Sequence, residues 1–291
     1  MNKKQKILLV AFGTTDLKKS IKRLQLQAQN SKFYDDIKIF DNESLDKDIK
    51  NLIKDKKERG YGYWIWKPYL ISKVFKEINY GDIVNYIDIG CHIVKENSKR
   101  FFEYIDLISN KKKWLLPFQY KIEDINLDKN FYYPRREEYK FTKSDLLNYY
   151  GSLNNKSILE TPQYWAGTFF IKKTDTSIKF IDEWLNIFLE RFDLVDDTPS
   201  KIKNHKNFIE NRHDQSVFSI LCKKNNLESL SAYECDWVML NHKRTWEHNL
   251  NSPILAKRDL EYNILKRFLI RQKKTFRRIK RKLFGKFKKS N

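Results

Sequence analysis

The chain has 291 residues, of which 41% are apolar, enough to bury one large core or two modest ones. Its formal net charge is +21, but residues 264–291 hold thirteen Lys or Arg and no acid, and taking those away leaves +8 for the rest. The longest apolar runs, such as "KILLVAF" and "TFFI", are too short to span a bilayer, and Cys91, Cys222 and Cys235 lack CxxC spacing, which fits reduced, buried thiols in a reducing cytoplasm better than a disulfide framework.

In chain order, "KKQKILLVAFG" reads as a first strand, and a strand followed by a turn suits the N-terminus better than a signal peptide. A turn at "GTTD" leads to a helix from about Leu17 to Gln29, and "DIKIFDN" gives a second strand. "SLDKDIKNLIKDKKERG" reads as a polar helix with a loop. "PYLISKVFKEI" places apolar residues at 70, 71, 74, 75 and 78, one helical face, with Pro68 at its start. Gly81 ends that segment and "DIVNYIDI" follows as a strand. Residues 95–113 look helical and "KWLLPFQY" extended, while 121–160 is polar with a helix at "TKSDLLNYYG". "YWAGTFFIKK" resembles a strand, "TSIKFIDEWLNIFLERF" an amphipathic helix and "RHDQSVFSILCKKN" a shorter one. The alternation predicts an α/β fold with a mixed, mostly parallel sheet flanked by helices. The simplest partition is a globular domain over 1–256 and a basic tail over 257–291.

Asp88 lies near the carboxyl end of an apolar strand, where ligands sit in open parallel sheets. Gly90 beside it permits close approach of backbone or ligand. A carboxylate there suits a hard divalent cation bound together with phosphates, and such a cation would neutralise a departing diphosphate. A capping or salt-bridged aspartate at a strand end is the structural alternative.

The stretch "YGYWIWKPYLISKVFKEINYGDIVNYIDIGCHI" resembles the donor-site region of GT-A glycosyltransferases, where a helix carrying a basic residue precedes a strand ending in a DxD-type motif. Glycogenin-like and mannosyltransferase-like members read approximately "YLDxD"; here "YIDIG" matches the first acid as Asp88, and Gly90 stands where the second would be. "YWAGTFFIKK" is similar to the strand that lines the acceptor side, "RHDQSVFSIL" to the segment opening the next helix, and "LNHKRTWEH" to the place of a C-terminal metal-shell histidine. The order of these motifs, over about residues 5–250, carries the resemblance. It implies the Rossmann-like GT-A fold of nucleotide-diphospho-sugar transferases, with a C-terminal basic amphipathic helix added. It also implies transfer of a sugar from a nucleotide-diphosphate donor, a UDP-sugar first, to a hydroxyl of a surface polysaccharide or lipid-linked glycan in a bacterial capsule or lipopolysaccharide system.

On that resemblance, Asp88 and His242 would hold Mn²⁺ or Mg²⁺, and Thr14, Tyr63, Trp66, Lys67, Lys243 and Arg244 would join Asp88 at the donor. Trp165, Ala166, Gly167 and Gln215 would line the acceptor, and Asp214 would serve as the base at the acceptor hydroxyl, with Glu210 in reserve. Each residue has a plainer role as well. Lys67 is a cation at a helix start, the aromatic residues pack in cores, Asp214 caps a helix, and a single histidine is ordinarily structural.

In 264–291, Leu265, Leu269, Phe276, Ile279, Leu283 and Phe287 fall on one narrow helical face, with Lys and Arg covering the rest. This suits an anionic membrane surface, each basic residue adding about 1 kcal/mol, better than a nucleic acid. The expected location is therefore cytoplasmic, peripheral on the inner face of the plasma membrane. The absence of GxGxxG, a P-loop and GxSxG argues against dinucleotide-dependent, ATPase and hydrolase chemistry. A sugar nucleotidyltransferase on the same fold and a non-enzymatic basic binding protein are the alternatives, although "VAFGTTDLKKS" lacks the Gly-rich basic loop of the former.

Overall fold

The computed structural model describes residues 5–56, 59–109, 112–123 and 128–258, together with Gln272 and Thr275. Ten strands and ten helices follow in these residues. The strands are β1 (Ile7–Phe12), β2 (Asp36–Phe40), β3 (Ile83–Ile87), β4 (His92–Ile93), β5 (Leu115–Gln119), β6 (Tyr164–Lys172), β7 (Leu230–Ser231), β8 (Val238–Leu240), β9 (Lys243–Thr245) and β10 (Ile254–Leu255). The helices are α1 (Lys18–Ser31), α2 (Lys47–Leu52), α3 (Gly60–Tyr63), α4 (Trp66–Glu77), α5 (Ser98–Ser109), α6 (Glu138–Phe141), α7 (Ser144–Tyr149), α8 (Lys156–Leu159), α9 (Asp175–Glu190) and α10 (Asp214–Lys224).

Six strands form the central sheet in the order β2-β1-β3-β6-β5-β7. β1 pairs parallel with β2 and β3, and β5 parallel with β7, whereas β6 runs antiparallel to both β3 and β5. The expected mixed, mostly parallel α/β sheet is therefore present. Its one reversal, at β6, could not be read from the pattern, because all nine residues of that strand are buried and show no alternation. Two small ribbons, β4 with β10 and β8 with β9, lie outside the sheet. Sequence periodicity did not mark them, since two- and three-residue strands are too short to carry any.

Alternation along each strand divides the core between the two faces of the sheet. Leu8, Val10 and Phe12 of β1, Val84 and Tyr86 of β3, and Phe169 and Ile171 of β6 meet α4, α9 and α10 through Leu70, Val74, Trp184 and Phe218. Leu9, Ala11, Ile83, Ile87 and Phe170 face the other way, toward Leu24 of α1 and Phe101 and Tyr104 of α5. The helix α9 is opened by a reciprocal cap in which Thr174 and Ser177 bond each other's backbone N–H, and it buries Phe180, Ile181, Trp184, Ile187 and Phe188. Cys91, Cys222 and Cys235 are free and buried, as their spacing predicts.

This topology positions the site. After β1 the chain turns to β2 on one side, then crosses back through α2–α4 to β3 on the other, so the connections change direction between β1 and β3, where open α/β sheets take their ligands. The antiparallel register pairs Ile87 with Thr168, so the amino end of β6 reaches the same edge. No helix among the described residues is long and apolar enough to cross a membrane. The basic amphipathic stripe of 264–291 lies outside the described residues, apart from the exposed Gln272 and Thr275.

Candidate functional site

Asp88 is the first residue beyond β3, and its main chain is tied on both sides. Its N–H donates to Gly167 O at 2.8 Å, and its carbonyl accepts the Cys91 N–H at 2.8 Å. The side chain accepts a hydrogen bond from Tyr86 Oη at 2.7 Å, Tyr86 standing two residues back on the same strand face. With 36% of its side chain exposed, Asp88 presents a fixed carboxylate at the sheet edge.

Lys67 approaches it from the first turn of α4. Its ammonium lies 2.7 Å from Asp214 Oδ2, 3.3 Å from Asp88 Oδ1 and 3.0 Å from Ala166 O. Those three acceptors match the three N–H donors of an ammonium. Lys67 is thus a clasp joining β3, β6 and α10. Burial works to lower its pKa, but the carboxylates of Asp214 and Asp88 prevail and hold it above its usual value. Asp214 has only 5% of its side chain exposed. Burial pushes its pKa up to about 6, against the pull of Lys67, and the charge of Asp88 adds to the rise.

Both partners are aimed by unusual backbone. Tyr61, Tyr63 and Trp64 have φ of 49°, 54° and 66°, and Gly60 before them and Gly62 among them also have positive φ, so the chain enters α4 through a left-handed run. His213, immediately before Asp214, has φ 56° and ψ −117°. Such conformations cost on the order of 1–3 kcal/mol each in non-glycine residues and persist where the surroundings hold them. His213 is itself buried, which with the Arg59 charge pushes its pKa down to about 4 and leaves it neutral at pH 7. Gly167 is required for a different reason. A Cβ there would lie 2.2 Å from the Trp165 ring, which folds back over it.

The structure brings together Lys67, Asp88, Asp214 and the Ala166–Gly167 backbone from the expected residues. Trp66 lies in the core, stacked on Phe12 with centroids 4.3 Å apart and with its Nε1 donating to Gly60 O. Trp165 and Ala166 are buried too. Thr14 is half-buried and donates to Asp16, and Tyr63 donates to Asp197 at 3.3 Å. Gln215 donates to Gln163 at 2.8 Å, and Glu210 pairs with Arg212 at 3.1 Å. His242, Lys243 and Arg244 are exposed on the β8–β9 turn and on β9. Sequence reasoning passed over Tyr86, whose i, i+2 spacing to Asp88 was the available signal.

Of the residues expected to hold a divalent cation, Asp88 stands just beyond β3 and His242 on the β8–β9 turn. Among the described residues, no group of three His, Cys, Asp or Glu side chains is placed to hold a metal. Asp88 Oδ1 is already shared by Lys67 and Tyr86, so a cation there would meet the buried ammonium.

No family model matches the chain, and no curated protein matches it. Among solved structures it is similar to a glycosyltransferase involved in glycosylation of the major capsid of PBCV-1, with TM-score 0.34 and 8% identity over 64% of this chain and 68% of that one. It is similar to mouse xyloside xylosyltransferase 1, with TM-score 0.39 and 9% identity over 80% and 86%. A third is the glycosyltransferase GlyE of Streptococcus pneumoniae, with TM-score 0.32 and 11% identity over 79% of this chain and 46% of that one. All three TM-scores lie below 0.5, and the functional reading rests on the side chains.

Proposed function

We propose that this chain is a glycosyltransferase moving a sugar from a nucleotide-diphosphate donor, a UDP-sugar by resemblance, to a hydroxyl of a glycan or lipid-linked acceptor. The observation that carries the reading is the carboxylate pair, Asp88 and Asp214, clasped by buried Lys67 at the carboxyl edge of the sheet, where the connections change direction between β1 and β3. A buried ion cluster is weak evidence for stability, since apolar residues of similar volume serve a core as well. Placed where an α/β sheet takes its ligands, and aimed by left-handed backbone, it is better explained by chemistry.

Sugar transfer breaks the bond between the anomeric carbon and the diphosphate oxygen and forms one to the acceptor oxygen, whose proton must be taken up. Asp88 is the carboxylate that a substrate reaches, and it would accept the hydrogen of the acceptor hydroxyl or face the anomeric centre. Asp214, assigned as the base from sequence, stands behind Lys67 and is the more enclosed of the two. In this reading it is a positioning residue that acts through Lys67. The exposed Lys243 and Arg244 offer positive charge to the diphosphate. The basic stripe of 264–291 would hold the enzyme on an anionic membrane carrying lipid-linked acceptor, in keeping with a role in bacterial surface glycans.

Thermal unfolding of the purified chain with UDP, GDP and the common nucleotide sugars tests the donor class. A concentration-dependent rise with at least one of them is expected. No response to any would remove the transferase reading.

A further inference from the structure

Beside this site, two arginines pair with one buried acid and a third lies across the neighbouring tryptophan. Asp236 Oδ2 accepts Tyr120 Oη at 2.9 Å and lies 3.2 Å from Arg136 Nη2 and 3.6 Å from Arg258 Nη2. Arg136 stacks on the Tyr120 ring at 3.8 Å and faces Trp237 at 5.1 Å, while Arg244 covers Trp237 at 4.3 Å. Among the described residues, Arg136, Arg244 and Arg258 thus gather around Asp236 and Trp237, and Arg136 and Arg258 share the one carboxylate of Asp236. Burial first, and then the Arg258 charge, hold Arg244 below its ordinary pKa. The indole Nε1 of Trp237 is out of solvent and has no hydrogen-bond partner among the described residues.

The cluster adjoins Asp88. β10 pairs antiparallel with β4, Leu255 opposite His92, and this direction carries the chain toward the Asp88 end of that loop, where Arg258 follows. The Asp88 charge contributes to the electrostatic environment of Arg258. Guanidinium groups bind phosphate through paired N–H donors in a fixed plane, and stacking on aromatic rings sets that plane in advance.

We propose that Arg136, Arg244 and Arg258, with Trp237, form a binding site for a doubly charged phosphate group next to the Lys67–Asp88–Asp214 clasp. In a sugar transfer this group has two sources, the diphosphate of the donor and a phosphate borne by the acceptor. The binding chemistry is the same for both, and it stands whether or not the transferase reading holds.

The probe is inorganic pyrophosphate, titrated calorimetrically into the full chain at low salt. Arg244→Gln and Arg258→Gln are the test variants, since both residues are exposed and Arg136 stays paired with Asp236 in each. Lys179→Gln, an exposed site on α9, controls for net charge. Each arginine variant is expected to weaken pyrophosphate binding tenfold or more, while Lys179→Gln stays within twofold of wild type. Absence of pyrophosphate binding to wild type, or arginine variants that bind like Lys179→Gln, would overturn the site. Given arginine-dependent binding, competition by UDP assigns the phosphate to the donor, and lack of competition assigns it to the acceptor. Arginine-dependent binding without turnover of any nucleotide sugar would keep this site and remove the transferase. Turnover with arginine-independent pyrophosphate binding would do the reverse.

Discussion

Lys67 shows how much one buried charge depends on its partners. Its ammonium is almost wholly buried and is satisfied by Asp214, Asp88 and Ala166 O. Lys67→Met would leave Asp214 buried without its cation, and breaking a buried pair in this way costs about 3–5 kcal/mol. Urea denaturation is expected to show that loss, and a change below about 1 kcal/mol would mean the clasp is not enclosed as described. The titration of Asp214 gives a separate prediction. Its folded pKa, about 6, lies above the ordinary 3.8, so the folded state holds the proton more tightly than the unfolded chain. The stability linked to this group is fully present below about pH 3.8 and is lost as pH rises through 6. Wild type measured against Asp214→Asn should therefore lose about 3 kcal/mol between those limits. In the same window the ion pair with Lys67 forms, so transfer should rise with a midpoint near pH 6. An activity midpoint below pH 5 would contradict the assignment.

At the scale of elements, β3 and β6 set the geometry, and on β6 Gly167 is held close against the ring of Trp165. A Cβ 2.2 Å from the Trp165 ring cannot be accommodated without moving that ring, which is itself buried. Gly167→Ala should destabilise by about 1–3 kcal/mol through overpacking and change the tryptophan fluorescence, while an unchanged emission spectrum and melting temperature would show that the ring moves freely. Much of this level was legible in the sequence. The apolar run before Asp88 and the helical face at 70, 71, 74, 75 and 78 fixed β3 and α4, and the expected strands at "KILLVAF" and "YWAGTFFIKK" are present. The antiparallel course of β6 was not legible, because burial on both faces erases alternation. Nor was the clasp. A lysine at the start of a helix reads as a solvated cation, and only the left-handed run of Gly60–Trp64, which the pair of glycines hints at, turns it inward. Arg136, Asp236 and Arg258 were missed for a related reason, since they are far apart in sequence and are joined only by short ribbons without periodicity.

At the scale of the molecule, a sheet covered on both faces leaves its carboxyl edge as the natural place for chemistry, with the clasp and the arginine cluster side by side there. The charge of residues 264–291 is separate in sequence from that edge. Deleting those residues should abolish co-sedimentation with anionic vesicles while leaving the melting temperature and nucleotide response unchanged. Continued pelleting of the shortened chain would refute the membrane role. The central claim is that sugar transfer takes place at the exposed carboxylate of the clasp. Nucleoside diphosphate release from the donor that stabilises the protein, compared between wild type and Asp88→Asn in the presence of acceptor, tests it most directly. A fall of kcat by about a hundredfold or more is expected, the range for losing one proton-transfer group beginning there, with the fold retained. A folded Asp88→Asn protein that turns over as fast as wild type would contradict it.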